Sequence, residues 1–347
     1  MDYLEEESFM DDLTLGLFLY FISLLTMAGI YAVMSIGLNI QWGFTGLFNL
    51  GIAGFFAIGA YTSAILTSPS SQQHLGGYGL PIAVGLLASM ITAGIIGYCV
   101  GRLCIRLRSD YLAIATIGVA EIFRLILKNE LWATNGPRGI SSLPRPFEHL
   151  SQPWSQVAFL IVVILILFIV HMIVERAHLS PWGRVMRAIR DNDSAAQAIG
   201  KNVDNYRLQA FVIGCAFMGL GGALSAHFFK FIGPEATEPL MTTFLVWVML
   251  IIGGSGNNRG AILGPIVIWA LWSGTELFTM QLGPDWAVRA TFIRVFLIGL
   301  VLQIVLQRYS SGLLPEKPPK RDYDSAFFGK LGPKTKKTLS KDTEGFS

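Results

Sequence analysis

Charge is scarce in this sequence. Asp, Glu, Lys and Arg make up 14% of its 347 residues, against about a quarter in an ordinary soluble domain. The length alone would suit two soluble domains, but 52% of the residues are hydrophobic. They come in runs of roughly 16 to 24, and a helix needs about 20 to cross a bilayer. The chain is therefore read as a polytopic membrane protein. The net charge of +3 is too small to point to nucleic acid.

Cysteine is nearly absent too. Cys99, Cys104 and Cys215 include no CxxC pair, so neither a disulfide framework nor a zinc site is suggested, and they are read as small packing residues. The opening MDYLEEESFMDD has no Lys or Arg, so it lacks the basic region of a cleaved secretory signal, and the first apolar run is expected to stay as a membrane helix. No GxxxxGK[ST] occurs, and GSGNNRG carries Arg259 where a dinucleotide fingerprint needs its third glycine. The chain has no phosphate-cradling loop of its own. If ATP drives it, another subunit hydrolyses the ATP-Mg, and no cofactor is expected here. HExxH, GxSxG and DDxxD are missing as well, which removes the familiar routes to a membrane hydrolase or prenyl transferase.

What is present is an all-α pattern of about nine transmembrane spans: 13 to 36, 46 to 66, 80 to 101, 111 to 130, 155 to 174, 207 to 228, 239 to 254, 261 to 280 and 290 to 307. With the N-terminus outside, the inside segments hold 18 Lys and Arg and the outside segments hold 4. That asymmetry predicts an N-out, C-in topology. Residues 1–12 form an acidic external N-terminus, 13–307 the membrane domain, and 308–347 a basic tail rich in Lys, Pro and Ser, expected to be largely disordered. Its lysines could touch anionic lipid or simply be solvated.

Two segments break the hydrophobic pattern with glycine. GLNIQWGFTGLFNLG, 37 to 51, leads into the second span, and GGSGNNRG follows the short span 239 to 254. Interrupted helices of this kind build binding sites near the bilayer midplane, which makes Asn39, Gln41, Trp42, Thr45 and Asn49 candidates for lining a pathway. Close helix packing and capping of a glycine-rich turn explain them equally well. Among ionisable residues inside spans, Glu121 and Arg124 stand three apart and can pair on one helix face, and Glu121 joins the pathway candidates. Glu276 and Arg294 lie near span ends, where snorkelling or pairing accounts for them; His171 and His227 are read as interfacial.

The most polar stretch between spans, RVMRAIRDNDSAAQAIGKNV at 184 to 203, falls in the inside loop 175 to 206. Pro181 suits a helix start, Val185, Met186 and Ile189 share a side with Arg184, Arg187, Arg190 and Asp191 around them, and SAAQAIG makes a second short helix closed by Gly200. Small residues such as Ala195 and Ala196 permit close approach to a groove on another protein. A helix lying on the membrane surface is the other reading.

Four ordered segments resemble the branched-chain amino acid permease family of ABC importers, LivM type. GLNIQWGFTGLFNLGIAGFFAIGAY (37 to 61) is similar to its GLNxxxG[YF]xGxx[SN]LG element followed by FFxIGAY. RSDYLAIATIGVAEIFRLIL (108 to 127) is similar to R[GS]DYLAIxTxGxxEIxR, TNGPRGI (134 to 140) to TGGPxGI, and SPWGRVMRAIRDNDSAAQAIGKNVDNYRLQAFVIG (180 to 214) to the SRxGRxxRAIRD loop. The resemblance implies a bacterial inner-membrane permease without enzyme activity, working with a homologous second permease, two ABC ATPases and a periplasmic solute-binding protein, embedded in lipid and independent of nucleic acid. It also implies that Arg184, Arg187, Arg190, Ser194, Ala195, Ala196 and Gly200 couple to the ATPases. Ser194 stands where the family's EAAxxxG segment has Glu, and Ile52 where relatives often have His. Urea or short-amide permeases share these motifs, and an ion-coupled carrier using Glu121 or Glu276 is the alternative from a different class.

Overall fold

In the computed structural model, long helices follow one another through residues 2–70, 74–280, 284–309 and 311–316, which are the residues described. In chain order the helices are α1 (Asp2–Leu38), α2 (Ile52–Thr67), α3 (Ile82–Cys104), α4 (Ser109–Asn129), α5 (Leu131–Thr134), α6 (Trp154–Leu179), α7 (Pro181–Asp191), α8 (Asp193–Ala198), α9 (Val203–Phe229), α10 (Pro239–Gly253), α11 (Asn258–Met280) and α12 (Pro284–Arg308). Nine of these, among the described residues, have 15 residues or more. Four stretches are both long and apolar enough to cross a membrane: Thr14–Gly43, Ile82–Cys104, Trp154–Leu179 and Val203–Phe229. Ile52–Thr67, Thr242–Gly253 and Val295–Arg308 are apolar but shorter.

The outer helices show why this bundle belongs in lipid. On α6, Phe159, Val163, Val170 and Val174 recur at helical spacing and are buried, while Ile161, Ile164, Leu165, Phe168, Ile169 and Ile173 on the other faces are exposed. A helix apolar all round, with half its surface uncovered, suits hydrocarbon rather than water. The centre is different. α2 and α9 are buried on nearly every face and pack against each other through bare backbone. A side chain at Gly59 would run into the backbone of Gly219, and one at Gly222 into the Phe56 carbonyl. α3 closes on α9 in the same way, where a Cβ at Gly97 would come within 2.8 Å of Cys215. Such small-residue crossings replace the hydrophobic drive that lipid does not supply.

At one end of the bundle, Ile140–Ser141 (β1) pairs antiparallel with Phe231–Ile232 (β2). The Arg145 guanidinium donates to the Phe228 carbonyl and lies over the Phe228 ring at 5.6 Å and the Phe159 ring at 6.0 Å; burial lowers its pKa. Lys230 donates to Glu148 and holds that carboxyl below the usual range. His227, read from the sequence as interfacial, is fully buried, 2.8 Å from Ser63 Oγ and 2.8 Å from the Pro144 carbonyl. The carbonyl only accepts, so Nδ1 carries the proton and Nε2 takes the Ser63 hydroxyl.

Two sequence expectations change here. Residues 37–45, expected to be an inside loop, are helical: α1 runs into a π turn, Asn39–Gly43. The second span starts at Ile52 rather than 46, because residues 46–51 are irregular and largely buried. Residues from 311 turn back after α12, with Leu313 and Leu314 N–H groups donating to the Ile252 and Gly253 carbonyls at 2.8 and 3.0 Å. Residues 317–347, most of the basic tail, lie outside the described residues.

The α2–α9 crossing makes a direct prediction. Gly222→Leu should cost on the order of 3 kcal/mol or more, because the backbone of Phe56 and Ala60 on α2, rather than a movable side chain, blocks the space. Gly118→Ala, with nothing within 4 Å, should leave stability unchanged or slightly raised. The fraction of monodisperse protein and the thermal midpoint in detergent check both; equal behaviour of the two variants would contradict the packing described.

Candidate functional site

The site is built around the break between α1 and α2. A π turn widens the helix by one residue and commonly marks a functional position. Here it turns Asn39 towards α11: Asn39 Nδ2 donates to Asn258 Oδ1 at 3.0 Å, and Asn39 Oδ1 accepts from Gly256 N at 2.8 Å. Asn258 in turn donates to Glu175 at the end of α6, at 2.7 Å. Gly43 is required by this approach, since a Cβ there would strike Asn39 Oδ1.

Gln41 faces α9, donating to the Phe211 carbonyl at 2.9 Å and accepting from Asn49 Nδ2 at 2.9 Å. Gly214 leaves the room this amide occupies, for a Cβ there would come within 2.5 Å of Gln41 Nε2. Asn49 Oδ1 accepts from Gly51 N at 2.8 Å in a turn just before α2, while its own carbonyl takes the Trp247 indole N–H at 3.0 Å. Thr45 donates to the Gln41 carbonyl at 2.6 Å. The remaining irregular backbone is satisfied from neighbouring helices. Leu50 N donates to Thr116 Oγ1 at 3.0 Å, and Thr243 Oγ1 donates to the Leu50 carbonyl at 3.2 Å and accepts from Ala53 N at 3.3 Å. Non-helical backbone at membrane depth is tolerated only when protein supplies its hydrogen bonds. Here α4 and α10 supply them.

Of the pathway candidates, Gln41, Thr45 and Asn49 are thus brought into one network and Asn39 into a second with Asn258 and Glu175, each of the four at most 1% exposed. Trp42 is partly exposed and packs at a tilt against Phe48 and edge-on against Trp247, ring centroids 5.4 and 5.3 Å away. Glu121 stands apart on α4, paired with Arg124. Thr116, Glu175, Thr243, Trp247 and Asn258 were not singled out in the sequence; only Asn258 carried a signal, through its place in GGSGNNRG. Ile52, where relatives often have His, is fully buried in the first turn of α2.

The polar loop sits at the same end of the bundle. α7 begins at Pro181 and buries Met186 and Ile189, with Val185 packed against the small cluster of Ile189, Ala196 and Val203. Asn192 accepts from Ala195 N at 3.0 Å and starts α8. Gly200, at φ +79°, ends it, with Lys201 N donating to the Ala196 carbonyl at 3.1 Å; the left-handed backbone there is why glycine serves. Of the coupling candidates, Arg184, Ser194, Ala195 and Gly200 are exposed, and Ala196 is buried. Arg187 turns inward to His178 Nε2 at 2.6 Å. Arg190 donates to the Gly43 carbonyl at the end of the π turn. On the outer face of α8, Ile199 is 72% exposed, an apolar side chain that its sequence context did not single out. Between this loop and the broken segment lies a cavity of about 290 Å³ bordered by Gly46, Leu47, Arg106, Arg108, Asp193 and Arg207; Arg207 pairs with Asp193 at 3.4 Å.

A helical bundle with lipid-suited outer faces, a buried break in its innermost helices and a polar helical loop bound to that break defines an all-α membrane permease. Comparison with known proteins agrees. The model of the branched-chain amino acid transport system permease component matches residues 20–306. The chain is 32% identical over 326 residues to the high-affinity branched-chain amino acid transport system permease protein LivM of Escherichia coli (strain K12), covering 86% of this chain and 71% of the relative. It is 27% identical to the probable branched-chain amino acid transport permease protein LivM of Methanocaldococcus jannaschii, covering 84% of this chain and 92% of the relative. To the permease protein LivH of Escherichia coli (strain K12) it is 24% identical, with 82% and 94% covered. No solved structure matches it. The chain belongs to the family of branched-chain amino acid transport permeases.

The network predicts graded losses. Gln41→Leu strands the buried Asn49 amide, which should cost about 1–3 kcal/mol, and also removes the bond to the Phe211 carbonyl, worth about 1 kcal/mol more, while Thr45→Val removes one bond and should cost about 1 kcal/mol. Thermal unfolding of the solubilised protein orders them; equal losses would contradict a network centred on Gln41.

Proposed function

We propose that this chain is the permease subunit of an ABC importer for branched-chain amino acids. It works beside a homologous second permease, with two ATPases that hydrolyse ATP-Mg and a periplasmic binding protein that delivers the solute. The chain adds no enzyme activity or cofactor. Its nine long helices are nine spans of the bacterial inner membrane, with the N-terminus outside, the C-terminus cytoplasmic and α7–α8 on the cytoplasmic side. Family membership and the charge asymmetry of the loops support this reading.

The observation that carries the mechanism is the bond from Arg190 to the Gly43 carbonyl. The exposed surface of Arg184, Ser194, Ala195, Ile199 and Gly200 is the part that meets an ATPase. Ala196, Arg187 and Arg190 tie the loop to the membrane helices behind it. When ATP closes the ATPases, α7–α8 moves and Arg190 passes that movement to the broken segment 39–51. Asn39, Gln41, Thr45 and Asn49 keep the segment hydrogen-bonded while it moves beside the pathway, and Trp42 with its neighbouring rings offers an apolar wall. Ser194 contributes exposed hydroxyl surface and no charge of its own, so docking leans on shape and on Arg184.

Purified permeases, ATPases and binding protein in vesicles should take up leucine only with ATP and binding protein present. Uptake by this chain alone on a proton gradient would contradict the importer reading, and uptake of urea in place of leucine would move the substrate. Within that assay, Gly200→Val strains the end of α8 and should lower leucine uptake at least tenfold while the chain still inserts. Full transport by this variant would remove α8 from the coupling surface.

A further inference from the structure

Glu121 and Arg124 form an ion pair that the network around the break does not use. Arg124 Nε donates to Glu121 Oε2 at 2.9 Å, and a second guanidinium nitrogen reaches Oε1. At 1.5 Å per residue, Glu121 lies roughly 18 Å into a helix about 30 Å long. That is well inside the hydrocarbon region if α4 spans the membrane. The pair is only partly covered by this chain: the Glu121 side chain is 41% exposed and that of Arg124 23%. Ionised groups at that depth face protein or a water-filled path, because facing lipid is too costly. Gly118, one turn towards the cytoplasm, has nothing within 4 Å of where its side chain would be. Ile114 and Leu125 on the same side are exposed at 68% and 44%.

We propose that this face of α4 lines the translocation path and that the pair receives the head group of an α-amino acid, Glu121 taking the ammonium and Arg124 the carboxylate. The inference rests on the importer reading above and names the groups that would handle its substrate. A zwitterion presents both charges about as far apart as the two side chains do, so it can part the pair by replacing one ion pair with two. Because the Glu121–Arg124 pair re-forms behind it, the solute is held without being trapped. This balance of binding and release is what a conducting site requires. The apolar side chain then rests on Ile114 and Leu125.

The test uses the complete transporter in vesicles. Glu121→Gln and Arg124→Gln should each lower leucine uptake per assembled complex at least tenfold; uptake within twofold of the unsubstituted transporter in both would overturn the proposal. An independent arm covers variants that fail to assemble. In a chain with Cys99→Ser and Cys104→Ser, leaving only the buried Cys215, a cysteine introduced by Gly118→Cys should react with a charged, water-soluble thiol reagent. Leucine with binding protein should slow that reaction at least threefold. A Gly118→Cys chain that reacts only with a lipid-soluble maleimide, or whose labelling leucine does not alter, would overturn the proposal. If the unsubstituted transporter carries no amino acid at all, the substrate reading fails first, and labelling by the water-soluble reagent still decides whether α4 faces the path.

Discussion

An irregular stretch of backbone inside a membrane protein must find every hydrogen bond within the protein, and residues 46–51 depend on that constraint. Lipid offers no hydrogen bonds, and an unpaired amide facing it costs several kcal/mol. The chain meets the requirement with neutral side chains: Thr116 from α4 and Thr243 and Trp247 from α10 come from far away in sequence, and Gln41 and Asn49 pair locally. Once these are in place, the relative positions of α1, α2, α4, α9 and α10 are set. The glycine crossings of α2 with α9 and of α1 with α9 are then what let the helices come close enough for those bonds to form.

The same constraint connects structure to action. A segment held by several moderate hydrogen bonds, each worth about 1 kcal/mol net, is stable as a unit yet able to exchange partners. A buried charge at its centre would make it far harder to move. The charged residues accordingly sit at its margin, where Arg190 meets the Gly43 carbonyl and Glu175 meets Asn258. The loop of α7 and α8 presents small and polar residues outward and anchors inward through Met186, Ile189 and Ala196. One element therefore has an exposed outer face, which we propose meets an ATPase, and a bond to the break.

Much of this was legible in the sequence, for identifiable reasons. Long apolar runs report directly on helices in lipid, so α6 at Trp154–Leu179 contains the expected span 155 to 174. Pro181 and Gly200 mark helix ends through backbone preferences that need no tertiary context, and both expectations hold. The π turn was not legible. Its residues read as a loop because Gly, Asn and Gln lower local hydrophobicity, and the partners that keep them helical, Gly256 and Asn258, lie more than 200 positions away. The directions of Arg187 and Arg190 were equally hidden: periodicity places an arginine on a helix surface but does not say what covers that surface. Ala196 shows the same limit, since a small residue suits an interface with another protein and a buried contact with its own chain alike.

The claim that α7–α8 moves the broken segment is tested most directly by hydrogen exchange of backbone amides in the assembled transporter, compared with and without bound ATP. The account predicts that exchange across residues 46–51 changes when ATP binds, and that Arg190→Ala abolishes the change there while exchange in α8 still responds. Exchange across 46–51 that is indifferent to ATP, or that responds equally well without Arg190, would contradict it.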